Sequence, residues 1–228
     1  LEYCVQYQET DFSFISRLLE HEGIYYYFRH EKNKHTMVIS DSPKDHLPLE
    51  KEDVRCMITA GGLAGEDMIT TLTRKKEILS GKYTMKDFNF ETPAADLKVE
   101  VTSATAFGPG EREVYIYPGE YQKTKAGQRL ANIRMQEKEA GVTTITGTGN
   151  CREFTSGYRF TLKDHYRDEM NDQQYVLTRV AHEASETYEA ADTGAEATYA
   201  NSFTCIPFDV PYRPQRLVLK PLIAGAQT

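Results

Sequence analysis

The residues of this chain that could do chemistry are six histidines, four cysteines, several neighbouring carboxylates and one short glycine run. The histidines are His21, His30, His35, His46, His165 and His182, and no two stand at i,i+4 within an HExxH pattern. Zinc-protease chemistry and a structural zinc set are therefore unsupported, because both need ligands at short, regular spacing. Asp45 and His46 adjoin as a general-base dyad would, yet no GxSxG or comparable nucleophile turn accompanies them, and they are read as loop residues. Asp41, Asp45, Glu50, Glu52 and Asp53 form an acidic loop cluster. A calcium loop needs alternating oxygen ligands around a turn glycine, and Pro43 and Lys44 occupy ligand positions here. Glu9 and Asp11 have the look of paired glycosidase carboxylates, but beside a helix start they are better read as anions favoured by the helix dipole. Gly147-Thr148-Gly149 lacks the full GxGxxG pattern and its strand–helix setting, so no phosphate cradle is expected. Cys4, Cys56, Cys151 and Cys205 are widely separated with no CxxC, which points to buried free thiols. No catalytic, cofactor-binding or metal-binding residue is assigned, and the expectation is a protein that is not an enzyme.

The elements around these residues are legible. Thr10 and Asp11 are helix N-cap types, and Phe12, Ile15, Leu18 and Leu19 repeat on one helical face over 11–22, with Leu18 and Leu19 expected in the core. His21 falls in the last turn, where a cation is favoured, and Gly23 sits where a left-handed residue ends a helix. A second helix is predicted over 124–139. Its narrow stripe of Leu130, Ile133 and Met135 places it on the outside, with Arg129, Arg134, Glu137 and Lys138 wet. Alternating patterns predict strands at 4–7, 24–28, 35–39, 78–90, 98–102, 113–117, 143–148, 159–162 and 175–181, and Arg74-Lys75-Lys76 reads as a solvated strand end. The class is β-rich α+β. Turn-rich joints at Ala60–Gly65 and Phe107–Gly110 suggest unit boundaries, and prolines keep 212–221 extended.

A chain of 228 residues fits one large domain or two to three small ones. Its net charge of −7 argues against nucleic acid as a partner. No apolar stretch reaches the roughly 20 residues that span a bilayer. The chain does not begin with Met and shows no signal peptide, so it reads as a piece of a longer protein. Tryptophan is absent and tyrosine numerous, but Tyr25 to Tyr27 are consecutive and face alternate sides of a strand, which argues against a sugar-stacking platform.

Ordered blocks along nearly the whole chain carry a resemblance. They are YCVQYQETDFSFISRLLEHEGIYYYF (Tyr3–Phe28), HTMVISDSP (His35–Pro43), GKYTMKDFNFETPAADL (Gly81–Leu97), YPGEY (Tyr117–Tyr121), AGQRLANIRMQE (Ala126–Glu137), YVLTRVAHE (Tyr175–Glu183), NSFTCIP (Asn201–Pro207) and YRPQR…KPLIAGAQT (Tyr212–Thr228). The set resembles the hub region of the VgrG family, the spike-tip trimers of bacterial type VI secretion systems. The segments 44–65 and 186–199 are its least family-like parts. The resemblance implies a relative of contractile-phage baseplate hubs, with tube-type β-barrels and small α+β domains outside them. It implies an α+β domain over 1–68, a discontinuous second barrel over 69–102 and 143–210, an inserted helix-containing domain over 103–142, and an extended linker over 211–228. A first barrel is expected before Leu1 and a spike after Thr228, so this region alone is expected to trimerise weakly or not at all. The implied partners are the chain itself as a homotrimer in the full-length protein, the Hcp tube protein, baseplate components, and effector or adaptor proteins. The implied history is synthesis in the bacterial cytoplasm, assembly at the baseplate, then secretion or injection into target cells. Enzymatic extensions of some family members follow the spike. The alternatives are a contractile phage or tailocin baseplate hub and, less favoured, a cell-wall hydrolase.

Overall fold

The structure is a computed structural model, and it describes residues 4–57, 66–104, 112–185, 197–222 and 225. The first helix, α1, spans Asp11–Glu22. Thr10 caps it, its hydroxyl accepting from the Ser13 amide at 3.1 Å. Gly23 ends it at φ 69°, a left-handed conformation that an L side chain adopts poorly. The hairpin β1 (Tyr25–Glu31) and β2 (Lys34–Ser40) follows, paired antiparallel from Tyr25–Ser40 to Glu31–Lys34.

Six strands then build the main sheet in the order β3-β9-β10-β11-β8-β4. They are β3 (Pro48–Arg55), β4 (Ile69–Lys76), β8 (Thr143–Gly149), β9 (Arg159–Lys163), β10 (Gln174–Ser185) and β11 (Thr198–Pro207). All neighbours are antiparallel except β3 on β9. The two edge strands come back to each other: Cys56, just past β3, makes a parallel bridge with Ile69 at the start of β4, and the Met57 amide donates to the Ile69 carbonyl at 2.9 Å. The sheet is thus curled until its edges touch at one end, which satisfies backbone groups that a flat sheet leaves open. Inward-facing residues fill the curl, among them Phe160, Leu162, Leu177 and Cys205, each fully buried. Phe154 meets Phe203 edge-on at 4.9 Å and Phe160 at 5.3 Å.

A smaller unit has its own core. Strands β5 (Lys82–Met85), β6 (Val99–Thr102) and β7 (Glu113–Ile116) pair in the order β6-β5-β7, and α2 (Thr124–Glu139) covers them. Tyr83, Met85, Leu97, Val99, Leu130 and Met135 are buried there around Tyr121, whose hydroxyl donates to the Met85 carbonyl at 3.0 Å. Among the described residues no helix is long and apolar enough to cross a membrane.

Both helices begin and end where the pattern placed them. Several other expectations change. Residues 4–7 are not a strand, and Cys4 is exposed, whereas Cys56, Cys151 and Cys205 are buried free thiols. Residues 48–55, expected as loop, form β3, because only Leu49 and Val54 point inward and the intervening charges mask the alternation. The strand expected over 78–90 is cut to Lys82–Met85. In the strand pairing, β3 joins the main sheet, while β5 and β6 join β7 and α2. Leu18 and Leu19 are half-buried, and Phe12 and Ile15 remain 65% and 51% exposed, so much of the apolar face of α1 is left uncovered. The joints at 60–65 and 107–110 lie outside the described residues, as does most of 186–199.

Candidate functional site, a charged clasp on the 211–222 segment

The C-terminal end of α1 leaves carbonyls without intrahelical partners and carries about half a negative charge. Two arginines from distant parts of the chain meet it. Arg134 of α2 donates through Nη1 to the Glu20 carbonyl at 3.2 Å, and through Nη2 to the His21 carbonyl. Arg213 donates through Nη1 to the carbonyls of Gly23 at 2.9 Å and Asp41 at 2.8 Å, and through Nε to Gln136 Oε1 at 2.8 Å. The clasp is reciprocal, since Glu20 Oε2 accepts from the amides of Leu217 and Val218, both at 3.0 Å. Glu137 accepts from Arg134 at 2.8 Å and lies 3.8 Å from Arg216. Tyr212 packs edge-on against Tyr25 at 5.7 Å, and Lys220 pairs with Glu120 of the smaller unit.

Arg134 was expected on the wet face of α2 and is instead 2% exposed. Burial pulls its pKa down, and Glu137 opposes that shift. A guanidinium stays charged under such a pull, so its buried donors need acceptors, and the α1 carbonyls supply them. Burial likewise pulls Arg213 down, and burial together with Arg134 keeps the His21 imidazole below its ordinary value. A signal for Arg134 was present: it stands four residues after Leu130, on the buried stripe of α2. Arg213 carried no periodicity, being one residue of an extended segment. An open groove of about 580 Å³ flanks the clasp, floored by Leu18, Met85, Leu130 and Val218.

The residues weighed for chemistry are dispersed. Glu9 is bound by Arg17 at 2.8 Å, and this hydrogen bond holds its carboxyl below the usual carboxylate range; Asp11 accepts instead from Gln6 at 2.7 Å. Asp45 takes the Ser40 hydroxyl, while His46 turns the other way, its Nδ1 2.9 Å from the Gly157 carbonyl. Glu52 accepts from Gln174, Asp53 faces Lys163 at 3.6 Å, and Glu50 is exposed on β3. His30 and His35 oppose each other on the exposed hairpin, His182 meets the Tyr199 hydroxyl, and the buried His165 accepts from the Arg167 amide. Gly147, Thr148 and Gly149 lie within β8, not in a loop. Arg74 reaches Glu169 at 2.5 Å and Lys75 pairs with Glu77. Among the described residues no group of three or more His, Cys, Asp or Glu is placed to hold a metal ion. What the arrangement provides is a multiply tied attachment of the 211–222 segment to two helices.

Residues 1–188 match the phage tail baseplate hub (GPD) family. The chain is 34% identical over its whole length to the type VI secretion system spike protein VgrG1a of Pseudomonas aeruginosa, covering 36% of that protein. It is 32% identical to VgrG1b of the same organism, again over its whole length and over 31% of the relative. The chain thus spans about a third of the length of these curated relatives. Its fold is similar, with a TM-score of 0.60 at 15% identity, to an Escherichia coli type VI secretion component described as resembling the phage T4 tail proteins gp27 and gp5, over 96% of this chain and 44% of that one. Family match and architecture agree, and the chain belongs to the phage tail baseplate hub family.

Proposed function

We propose that this chain is the hub region of a type VI secretion spike, a structural module that joins a tube of Hcp protein to a trimeric puncturing needle. The observation that carries the reading is coverage: similarity to spike proteins runs through the whole chain rather than through one unit of it. In this reading the curled sheet of β3, β4 and β8 to β11 is the tube-type barrel. The α1–hairpin unit and the unit of β5, β6, β7 and α2 decorate it, and 211–228 leads toward the needle. Three copies in the full-length protein would present their barrels to the sixfold tube. The clasp is then the point where load on the needle enters the hub, spread over Arg134, Arg213 and Glu20 rather than a single contact. The work is mechanical, so purified protein is expected to release nothing from peptidoglycan.

Baseplate components and effector or adaptor proteins are the remaining partners of this reading. Its history runs from synthesis in the bacterial cytoplasm to assembly at the baseplate and export with the tube. A contractile phage or tailocin hub is the second reading, favoured by the family match itself. The test is a chimera in which this chain replaces the matching third of a type VI spike protein, in cells lacking their own spike proteins. Release of Hcp into the medium is expected. A stable, trimeric chimera that releases no Hcp would overturn the type VI reading and leave the phage-type hub.

A further inference from the structure

His46 sits in the joint between the β1–β2 hairpin and the main sheet, with 2% of its surface exposed. Its ring stacks on Tyr25 at 4.8 Å with an interplanar angle of 12°, and Tyr27 lies 6.4 Å away. Nδ1 is 2.9 Å from the Gly157 carbonyl. A carbonyl only accepts, so Nδ1 carries the hydrogen and Nε2 is the bare nitrogen of a neutral ring. Nε2 is buried and has no hydrogen-bond partner among the described residues. The surrounding contacts all cross the same joint. The Tyr27 hydroxyl donates to the Asp45 carbonyl at 2.7 Å, Arg159 Nη1 donates to the His46 carbonyl at 2.7 Å, and Tyr27 packs edge-on against Tyr158 at 5.9 Å.

We propose that His46 is an acid-sensitive pin: the neutral imidazole locks the hairpin onto the main sheet, and protonation at Nε2 loosens it. The new N–H would be buried without an acceptor, a state that costs far more than an exposed one. Charged and titratable neighbours divide as follows. From the turn before it, Asp45 attracts the proton, although its carboxylate is already engaged by Ser40. From β9, the Arg159 guanidinium repels it. From β1, Tyr25 and Tyr27 are phenols that burial keeps protonated, Tyr25 being pushed up to about 12, and Arg29 acts on Tyr27. From the 211–222 segment, Arg213 acts on Tyr25, and Tyr212, also pushed up by burial, packs on the same ring. Stacking on Tyr25 favours a cation modestly but provides no acceptor. Burial is the largest influence and holds the His46 pKa below its ordinary value, with the Gly157 carbonyl and Asp45 opposing it.

The sign follows from linkage. The open joint binds a proton near the ordinary imidazole pKa of about 6.5, and the closed joint binds it only at lower pH. The lock is therefore complete above that value and weakens as pH falls, with the opening constant rising up to about tenfold per pH unit until the closed-state pKa is reached. The test is hydrogen exchange on the full chain between pH 7.5 and 5, read as protection of hairpin amides relative to those of β10 and β11. The hairpin is expected to lose protection selectively below about pH 6.5. His46→Phe, which keeps a stacked ring and removes the titration, is expected to abolish that loss, whereas His21→Gln and His165→Gln are expected to retain it. A pH-independent hairpin, a loss shared equally by β10 and β11, or an unchanged loss in His46→Phe would overturn the proposal. If His46→Phe does not fold, imidazole ¹⁵N shifts of the unsubstituted protein decide. Nε2 unprotonated at pH 7, with hairpin amides following the His46 midpoint, supports the pin, and a different midpoint overturns it.

Discussion

Arg213 and Gly23 are joined by a hydrogen bond of 2.9 Å between positions 190 residues apart in the sequence. The guanidinium thereby closes the C-terminal end of α1 and ties down the 211–222 segment in one contact. Because the same group also serves Asp41 and Gln136, its geometry depends on a planar fork of donors.

Arg213→Ala should therefore lower stability by about 1.5–3 kcal/mol, the usual range for hydrogen bonds that involve a charged group. Arg213→Lys should recover less than half of that, since one ammonium cannot span three divergent acceptors. Urea denaturation gives the magnitude. Trypsin cleavage after Arg216, which is followed by Leu217, should accelerate in both variants if the segment is released.

Gly127 lies in α2 against the Tyr121 ring, and an added Cβ would fall inside that ring's contact surface. Alanine is the better helix former by up to about 1 kcal/mol. Overpacking of a buried aromatic costs about 1–3 kcal/mol, so Gly127→Ala should lower the thermal midpoint. A raised midpoint would mean that the ring moves aside freely.

Leu162 is fully buried in the curled sheet, while Leu18 is half-buried on α1. Leu162→Ala should cost about 3–5 kcal/mol and Leu18→Ala only about 1–2 kcal/mol, since the penalty scales with the transfer and cavity terms at each site. Equal losses would show that α1 is covered by something further in solution.

The thiols should separate by reactivity. Burial pushes Cys56 up to about 11 and Cys151 up to about 12, and raises Cys205 as well, whereas Cys4 is exposed. Only the thiolate reacts. Iodoacetamide at pH 8 should therefore add one label to the folded protein, at Cys4, and four after urea unfolding. Early labelling of Cys56 would report opening of the bridge between the edge strands.

By itself the sequence determined the local elements: the bounds of α1 and α2, the cap at Thr10, the left-handed stop at Gly23 and the β-rich class. Each rests on interactions within a few residues, and those are written in spacing and side-chain type. It also carried the family resemblance, through the order of its blocks. Tertiary structure alone decided that β3 lies parallel on β9, that Cys56 meets Ile69, that Arg134 is buried, and that His46 fills the joint. β3 could not be read because two inward residues among charges make no clear alternation, and its partner lies more than a hundred positions away. Arg134 was read as wet because a charge on a narrow stripe implies water, unless another element brings acceptors to it. Those acceptors are the carbonyls at the end of α1, over a hundred residues earlier. Backbone carbonyls are common to every residue type, so a site built on them leaves no trace in sequence until the chain has folded.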